Sequence, residues 1–481
     1  MWKTQSAARF RRDGYERISM SEMPVSGSED RAFDGRLVTV MGLGQFGGGL
    51  GVVQWLLQRG ARVCITDIAS ERTLAQPLAA LTDAIQSGRV TLRLGGHAAE
   101  DFTRSDLVVA NAAVPKPWEH PLLLAARKAG VPVTSEIRLA AERLDRSRTV
   151  GVTGSAGKST TSSMLACALR ASGRRVVLGG NIGGSLLGST EARDWTVLEL
   201  SSAQLWWLSP DSGLAGWSPR VAVLTNLAPN HVDWHGSLGH YLAAKAGIRT
   251  FQSEDGVFLS RFDEEHPAQA KEMAQACPMG AWWRGGQSPG DVPPLQLAIP
   301  GEHQVRNAQL AWSAAAACAA IDGQPWDGAR AAKGLEAFTG LEHRLQLVGT
   351  FHGMQCFNDS KATTPEATAI ALRAFPDWSR IHLIAGGYDK KVDLSSVRDL
   401  APRLAGLYAI GATAPLLAPA PPAIRCDTLT AAVDEAFSRG KAGDILLLSP
   451  ACASYGEFTN FEERGRKFVE LVHSPRPAAR C

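Results

Sequence analysis

Gly154-Ser155-Ala156-Gly157-Lys158-Ser159-Thr160 is the stretch that decides how this chain is read. Thr149-Val150-Gly151-Val152-Thr153 precedes it and reads as a short buried strand. Thr161-Ser162-Ser163-Met164-Leu165-Ala166-Cys167-Ala168-Leu169 follows it and reads as a helix. Strand, glycine loop, lysine and helix together make a cradle for nucleotide phosphates. The glycines let backbone N–H groups approach phosphate oxygens, and the helix N-terminus adds about half a unit of positive charge. Lys158 can reach the terminal phosphates, and the Ser159 hydroxyl can ligate magnesium. Only Ser155 and Ala156 stand between Gly154 and Gly157, fewer than in the common phosphate-loop pattern. A plain glycine turn before a helix is the alternative for the segment taken alone.

Upstream, Leu37-Val38-Thr39-Val40-Met41 reads as a strand, Gly42-Leu43-Gly44-Gln45-Phe46-Gly47 as a second glycine loop, and residues 52–59 as a helix. Residues 62–66 form the next strand, ending at Asp67, and Leu107-Val108-Val109-Ala110 another. This βαβ pattern implies a parallel sheet. A glycine loop followed by an acid about 20 residues later suits a dinucleotide such as NAD. The glycine run continues through Gly48, Gly49 and Gly51, however, and a separate phosphate loop follows. One nucleotide in each of two domains is the simpler reading. For Asp67 a polar strand end or helix cap is the alternative.

With 481 residues, the chain has room for about three domains. A net charge of +3 gives no support for nucleic-acid binding. The eight cysteines include no CxxC pair, which fits buried thiols in a reducing compartment and no structural zinc. No apolar run approaches ~18 residues, so no membrane insertion is expected and the protein reads as cytoplasmic. Residues 1–34 lack an apolar signal core and read as a disordered arm, or as sequence upstream of a later start at Met20 or Met23. Residues 415–423, rich in Pro and Ala, read as a flexible surface loop.

Downstream of the phosphate loop, Glu199 closes the apolar strand 195–200, where a carboxylate suits magnesium. His231, in Asn226-Leu227-Ala228-Pro229-Asn230-His231, is a candidate ligand for a second metal, with a structural histidine as its alternative. Lys245, on a helix over 238–248, has no role that residue chemistry alone supplies. An alanine-rich helix follows over 304–320. The last segment has strands near 381–385, 407–410 and 445–448. Its loops hold His343-Arg344, Asn358-Asp359-Ser360-Lys361-Ala362-Thr363, Gly386-Gly387-Tyr388-Asp389-Lys390 and Ser449-Pro450-Ala451-Cys452-Ala453-Ser454. Loops that follow strands are where open α/β sheets bind ligands, and Arg and Lys there suit an anion. No GxSxG elbow is present, which argues against a serine hydrolase.

Together these segments resemble the Mur ligases, the ATP-dependent amino-acid-adding enzymes of peptidoglycan synthesis. That family uses a shortened TGxxGKS/T-T loop, and the resemblance runs over residues 35–472. Phe338-Thr339-Gly340-Leu341-Glu342-His343-Arg344 and Asn460-Phe461-Glu462-Glu463-Arg464-Gly465, with the 358–363 and 449–454 loops, narrow it to the glutamate-adding branch. The resemblance implies an α/β fold of three domains. These are a Rossmann-like, UDP-substrate-binding N-terminal domain over 35–145, a central P-loop ATPase domain over 146–339, and a Rossmann-like, amino-acid-binding C-terminal domain over 340–481.

It also implies that ATP phosphorylates the free carboxylate of UDP-N-acetylmuramoyl-L-alanine and that the D-glutamate amine displaces the phosphate. The L-glutamate variant is left open, as are a hydride-transferring NAD enzyme and a nucleotide-binding protein without turnover. By resemblance, Gly154, Gly157, Lys158, Ser159 and Thr160 hold ATP phosphates and magnesium, with Asn307, Arg344 and Asp359 also contacting ATP. Two Mg2+ ions would use Ser159, Glu199, His231 and a carbamylated Lys245. Gln45, Phe46, Asp67 and Asn181 would hold the UDP substrate. Thr363, Lys390, Ser454 and Phe461 would hold glutamate. The protein would act as a monomer whose domains close over the substrates. Gln304, in place of a family asparagine, and Asn111-Ala112-Ala113-Val114-Pro115, in place of Ser-Pro-Gly, depart from the pattern.

Overall fold

The structure is a computed structural model that describes residues 11–12, 15–16, 33–44, 47–182, 185–188, 192–284, 286, 292–390 and 392–474. Apart from a two-residue pairing of Arg11–Arg12 with Tyr15–Glu16, the arm expected over 1–34 lies almost wholly outside these residues. Gln45 and Phe46 lie outside them too. The chain divides into two compact units, Met1–Val292 with Leu310–Gly328, and Pro293–Gln309 with Ala329–Cys481.

The first unit contains two five-stranded parallel sheets. One is built from β1 (Leu37–Met41), β2 (Arg62–Asp67), β3 (Val90–Leu94), β4 (Leu107–Ala110) and β5 (Val133–Ser135), in the order β3-β2-β1-β4-β5. Runs such as Leu-Val-Thr-Val-Met are buried on both faces, as a parallel sheet covered by helices requires. The other comprises β6 (Thr149–Thr153), β7 (Val176–Gly180), β8 (Trp195–Glu199), β9 (Val221–Leu224) and β10 (Val257–Ser260), in the order β10-β9-β6-β8-β7. β6 is therefore central, with β8 and β9 on its flanks, and the chain reverses direction across the sheet beside it. The ligand-binding crevice at the carboxyl ends of the strands, beside such a switch point, falls at the phosphate loop.

One apolar cluster runs through both sheets of this unit. Trp118, from the loop after β4, packs on Trp206 at 5.3 Å, Trp234 at 5.4 Å and His240 at 4.2 Å between ring centroids. That aromatic wedge belongs to the apolar cluster that the two sheets share within one compact unit. At the far side, Asp322 accepts from Trp195 Nε1 at 3.1 Å and pairs with Arg174 at 3.2 Å and with Arg148.

The helix expected over 52–59 begins earlier, at Gly48, and takes in the glycine run. A Cβ on Gly49 would overlap the Leu43 carbonyl, so the helix approaches the first glycine loop closely only because that residue has no side chain.

The second unit carries a six-stranded sheet in the order β11-β12-β16-β13-β14-β15. Its strands are β11 (Gln346–Phe351), β12 (Met354–Asn358), β13 (Ile381–Gly386), β14 (Gly406–Ile410), β15 (Ile424–Asp427) and β16 (Ile445–Leu448). Only the β11–β12 hairpin is antiparallel. The stretch expected as a flexible loop over 415–423 instead opens on a helix, Ala414–Leu417, because Ala414 and Leu417 are buried in the core. Among the described residues, the cysteines are free and no helix is long and apolar enough to cross a membrane.

Removing the Asp322 carboxylate leaves the Trp195 N–H and the Arg174 guanidinium without their buried acceptor. Asp322→Ala is expected to lower the stability of the first unit by about 2 kcal/mol, and Asp322→Asn by less. Urea unfolding followed by tryptophan fluorescence measures both; equal midpoints for variant and wild type would exclude this role.

Candidate active site

The phosphate loop leaves β6 and turns into the helix Lys158–Ala171, so Lys158 is the first helical residue. Gly157 caps that helix at φ 78°, a left-handed conformation that glycine adopts freely. A Cβ on Gly154 would overlap the Thr225 hydroxyl. The loop is pinned from the end of β9. Ser155 N donates to Asn226 O at 3.0 Å, and Ala156 N to Asn226 Oδ1 at 3.0 Å. Thr225 Oγ1 donates to Ala156 O at 2.6 Å, while Ser155 Oγ bonds to Ala228 O at 2.9 Å and lies 2.7 Å from Tyr241 OH. Lys158 Nζ folds over the loop, donating to Gly154 O at 3.0 Å and Ser155 O at 3.2 Å. Ser159 and Thr160 stand half-buried behind it in the first turn of the helix.

Lys245 is the surprise of this site. It lies on the helix Leu238–Ala246, is only 2% exposed, and donates to Gly154 O at 2.8 Å and Thr153 Oγ1 at 3.4 Å. Burial first, and then repulsion from Lys158, hold its amine well below the ordinary lysine range, against the opposing pull of Glu199. A neutral amine is a nucleophile, which an ordinary surface lysine at neutral pH is not.

Glu199 ends β8, in register with Val152 of β6, and is 2% exposed. Its Oε1 accepts from Asn181 Nδ2 at 2.8 Å, whereas its Oε2 is buried without a partner. An orphaned buried carboxylate oxygen of this kind fits a divalent cation, whose ligands are oxygens. His231 sits in a left-handed turn at φ 50°. Burial, with Lys158 and Lys245 nearby, keeps its imidazole below the usual range and therefore neutral, the form that ligates metals. Among the described residues there is no group of three His, Cys, Asp or Glu side chains poised around a metal. A full ligand set would thus have to include Ser159, a modified Lys245, phosphate oxygens or water.

A cavity of about 740 Å³ joins these groups to the first sheet. Lys158, Asn181 and His231 line one side; Gly42, Gly44 and Asn111 line the other. Asp67 is 6% exposed and lies under the first glycine loop, its carboxylate accepting from Gly44 N at 3.2 Å and Ala69 N at 2.8 Å. Asp67 thus shapes the loop, and among the described residues the cavity lining does not include it. Glu136 and Ser202 are among the lining residues to which the sequence reading gives no role. Glu136 accepts from Ser185 Oγ at 2.8 Å, and burial raises its carboxyl pKa. Ser202 lies 2.9 Å from Nε2 of the buried His235. Neither belongs to a motif, and only the folded chain brings them to the cavity wall.

In the second unit, Asn307 and Gln304 are buried on the helix Glu302–Asp322 and bond to each other at 3.2 Å, so the substituted glutamine holds the predicted asparagine. Arg344 is exposed, and its charge favours the ionised form of Asp359. Asp359 is 8% exposed, with its oxygens taken by Leu345 N at 3.0 Å and Ser449 Oγ at 2.8 Å. Burial pushes its carboxyl up to about 7. Thr363, Lys390 and Ser454 sit on the loops after β12, β13 and β16, which are adjacent strands. A bridge between Tyr388 and Ala453 ties two of those loops together. Lys390 is exposed, Ser454 is buried, and Phe461 begins the helix Phe461–His473 with Lys361 Nζ 5.0 Å from its ring centroid.

Three family models match the chain: "Mur ligase MurD-like, N-terminal domain" at residues 36–135, "Mur ligase middle domain" at 152–285, and "Mur ligase, glutamate ligase domain" at 343–452. A UDP-N-acetylmuramoylalanine–D-glutamate ligase of Anaeromyxobacter dehalogenans is 38% identical over 91% of this chain and 97% of its own length. The enzyme of the same name from Acidobacterium capsulatum is 35% identical over 92% and 98%. Among solved structures, UDP-N-acetylmuramate–alanine ligase of Thermotoga maritima aligns with a TM-score of 0.51 at 19% identity, covering 90% of this chain and 98% of that one, which supports the fold. With matches of this identity and near-complete length on both sides, the chain belongs to the Mur ligase family.

Proposed function

We propose that this chain is an ATP-dependent ligase that joins D-glutamate to UDP-N-acetylmuramoyl-L-alanine in peptidoglycan precursor synthesis, in the cytoplasm where ATP is available. The observation that carries the reading is the cavity. It connects a nucleotide-type glycine loop in the first sheet to Lys158, Asn181 and His231 beside the phosphate loop. An NAD enzyme has no use for such a connection. The names of the relatives supply the amino acid and its handedness.

In this reading the phosphate loop and Lys158 orient the ATP phosphates. The substrate carboxylate oxygen attacks the terminal phosphorus, and ADP leaves. The glutamate amine then adds to the acyl phosphate carbonyl, loses a proton, and expels inorganic phosphate as the amide forms. A carboxylate is a poor electrophile, so the first step exists to provide a leaving group. The protein contributes position and charge stabilisation. Glu199, Ser159, His231 and a Lys245 carbamate would hold magnesium, which supplies charge neutralisation for the transferring phosphoryl group. The neutral, buried Lys245 amine is suited to add to CO2, giving N–COO⁻ and a released proton. Asn307, Arg344 and Asp359 would contact ATP, Asn181 the muramoyl-alanine part, and Thr363, Lys390, Ser454 and Phe461 the glutamate.

The reading is tested by following phosphate release from ATP and magnesium with the nucleotide-sugar and D-glutamate. Release should require both acceptors and fall at least about 100-fold in Lys158→Ala; release indifferent to either acceptor would refute it. Lys245→Ala should be similarly poor and regain part of its rate with added formate or acetate, whereas failure of rescue would count against the carbamate. Asp359 gives a pH test. The folded chain holds its proton more tightly than the unfolded chain, so stability falls as pH rises from about 4 through about 7. Asp359→Asn should flatten that window, add on the order of 2 kcal/mol of stability above pH 7, and weaken ATP use. An unchanged stability–pH profile would show that the burial cost is absent.

A further inference from the structure

Arg464, in the first turns of the helix Phe461–His473, is 0% exposed. Its Nε donates to Ser360 Oγ at 3.0 Å, its Nη2 to Ser360 O at 2.8 Å, and its Nη1 to Cys452 O at 3.0 Å. A Cβ on Gly387 would lie 3.2 Å from Nη1. One guanidinium thus bonds to the loops after β12 and β16 and lies where a side chain at Gly387, in the loop after β13, would meet it; these three loops also carry Thr363, Ser454 and Lys390. Those strands are neighbours, so the loops emerge side by side at the carboxyl edge of the sheet, where open α/β sheets bind ligands.

The acceptors are neutral: one hydroxyl and two carbonyls. Among the described residues no carboxylate bonds to Arg464. Glu457, whose charge acts on it from a distance, accepts instead from Leu429 N through its Oε1 at 3.3 Å. Burial lowers the guanidinium to about 10, which leaves it charged at neutral pH. A buried charge with no bonded counter-ion is costly, and a methionine-sized apolar side chain would fill the space without that cost. Three backbone and hydroxyl contacts explain the fork shape of the side chain. They do not explain why the charge is kept.

We propose that Arg464 is a positioning residue for the acidic amino acid. It ties the loops of Ser360 and Cys452 together beside Gly387, and its positive charge, bonded to no carboxylate among the described residues, lies behind them until a ligand carboxylate approaches. Lys390 then meets a carboxylate from the solvent side, and Arg464 raises the potential from within. This deepens the ligase reading and rests on it for the identity of the amino acid.

The test compares the full-length wild type with Arg464→Met and Arg464→Lys in two assays. In steady-state kinetics, Arg464→Met should raise the KM for D-glutamate about tenfold or more while the KM values for ATP and nucleotide-sugar stay within about twofold. Arg464→Lys, which keeps the charge but loses the fork, should recover part of the difference. In thermal unfolding, saturating D-glutamate should stabilise the wild type and not Arg464→Met. Equal changes in all three KM values, an unchanged glutamate KM, or a wild type that D-glutamate does not stabilise would each overturn the proposal. If Arg464→Met does not fold, a glutamate KM in Arg464→Lys equal to wild type overturns it, and a raised one supports it. A wild type that is stabilised by D-glutamate but turns nothing over would remove the ligase reading. The loss of that stabilisation in Arg464→Met would still support this role.

Discussion

The site in the first unit depends on how the phosphate loop is held. A loop that offers N–H groups to an anion must keep its carbonyls turned away, and those carbonyls need donors of their own. Here the donors come from β9 and from two lysines. Thr225 Oγ1 satisfies Ala156 O, and Lys158 and Lys245 share Gly154 O. Asn226 also grips the loop, its backbone O accepting from Ser155 N and its Oδ1 from Ala156 N. The central position of β6, the absence of a side chain at Gly154, and the burial of Lys245 all follow from the need to build this loop against the neighbouring strand.

Lys245 shows how fold becomes chemistry. A lysine amine in water is protonated and unreactive toward CO2. Beneath the loop, burial and the charge of Lys158 favour the neutral amine, with Glu199 as the opposing influence. The same enclosure leaves Glu199 Oε2 without a partner. The neutral amine is the form this enclosure favours, and the orphaned carboxylate oxygen is the group whose burial is costly; both suit a site for a phosphate and a cation. Asp359 in the second unit follows the same logic, with a carboxyl raised by burial in spite of two hydrogen bonds.

The phosphate loop was legible in the sequence because its logic is local: strand, glycines, lysine and helix follow one another within a few residues. The strands beginning at Leu37, Thr149 and Ile445 were legible because buried parallel strands are written as short, uncharged, mostly apolar runs. Lys245 had no chemistry until the family resemblance supplied one, since its burial against Gly154 is made by a helix more than eighty residues downstream. Asn226 lay within a quoted stretch, yet its grip on the loop depends on the pairing of β9 with β6. The sequence reading starts the first helix at Val52, after the glycine run; the close approach of Gly49 to Leu43 that lets the helix begin at Gly48 is visible only in three dimensions. Arg464 stood in a recognised motif without a role, because neither burial nor a missing counter-ion is written in the sequence.

The central claim is that the phosphoryl group held at this loop passes to a carboxylate and leaves as phosphate when the amide forms. Oxygen-18 placed in the free carboxylate of UDP-N-acetylmuramoyl-L-alanine tests it most directly. After turnover with ATP, magnesium and D-glutamate, the inorganic phosphate should carry one oxygen from that carboxylate, with the other retained in the amide carbonyl. Amide product accompanied by inorganic phosphate that contains no label, the lost carboxylate oxygen appearing elsewhere, would contradict the account.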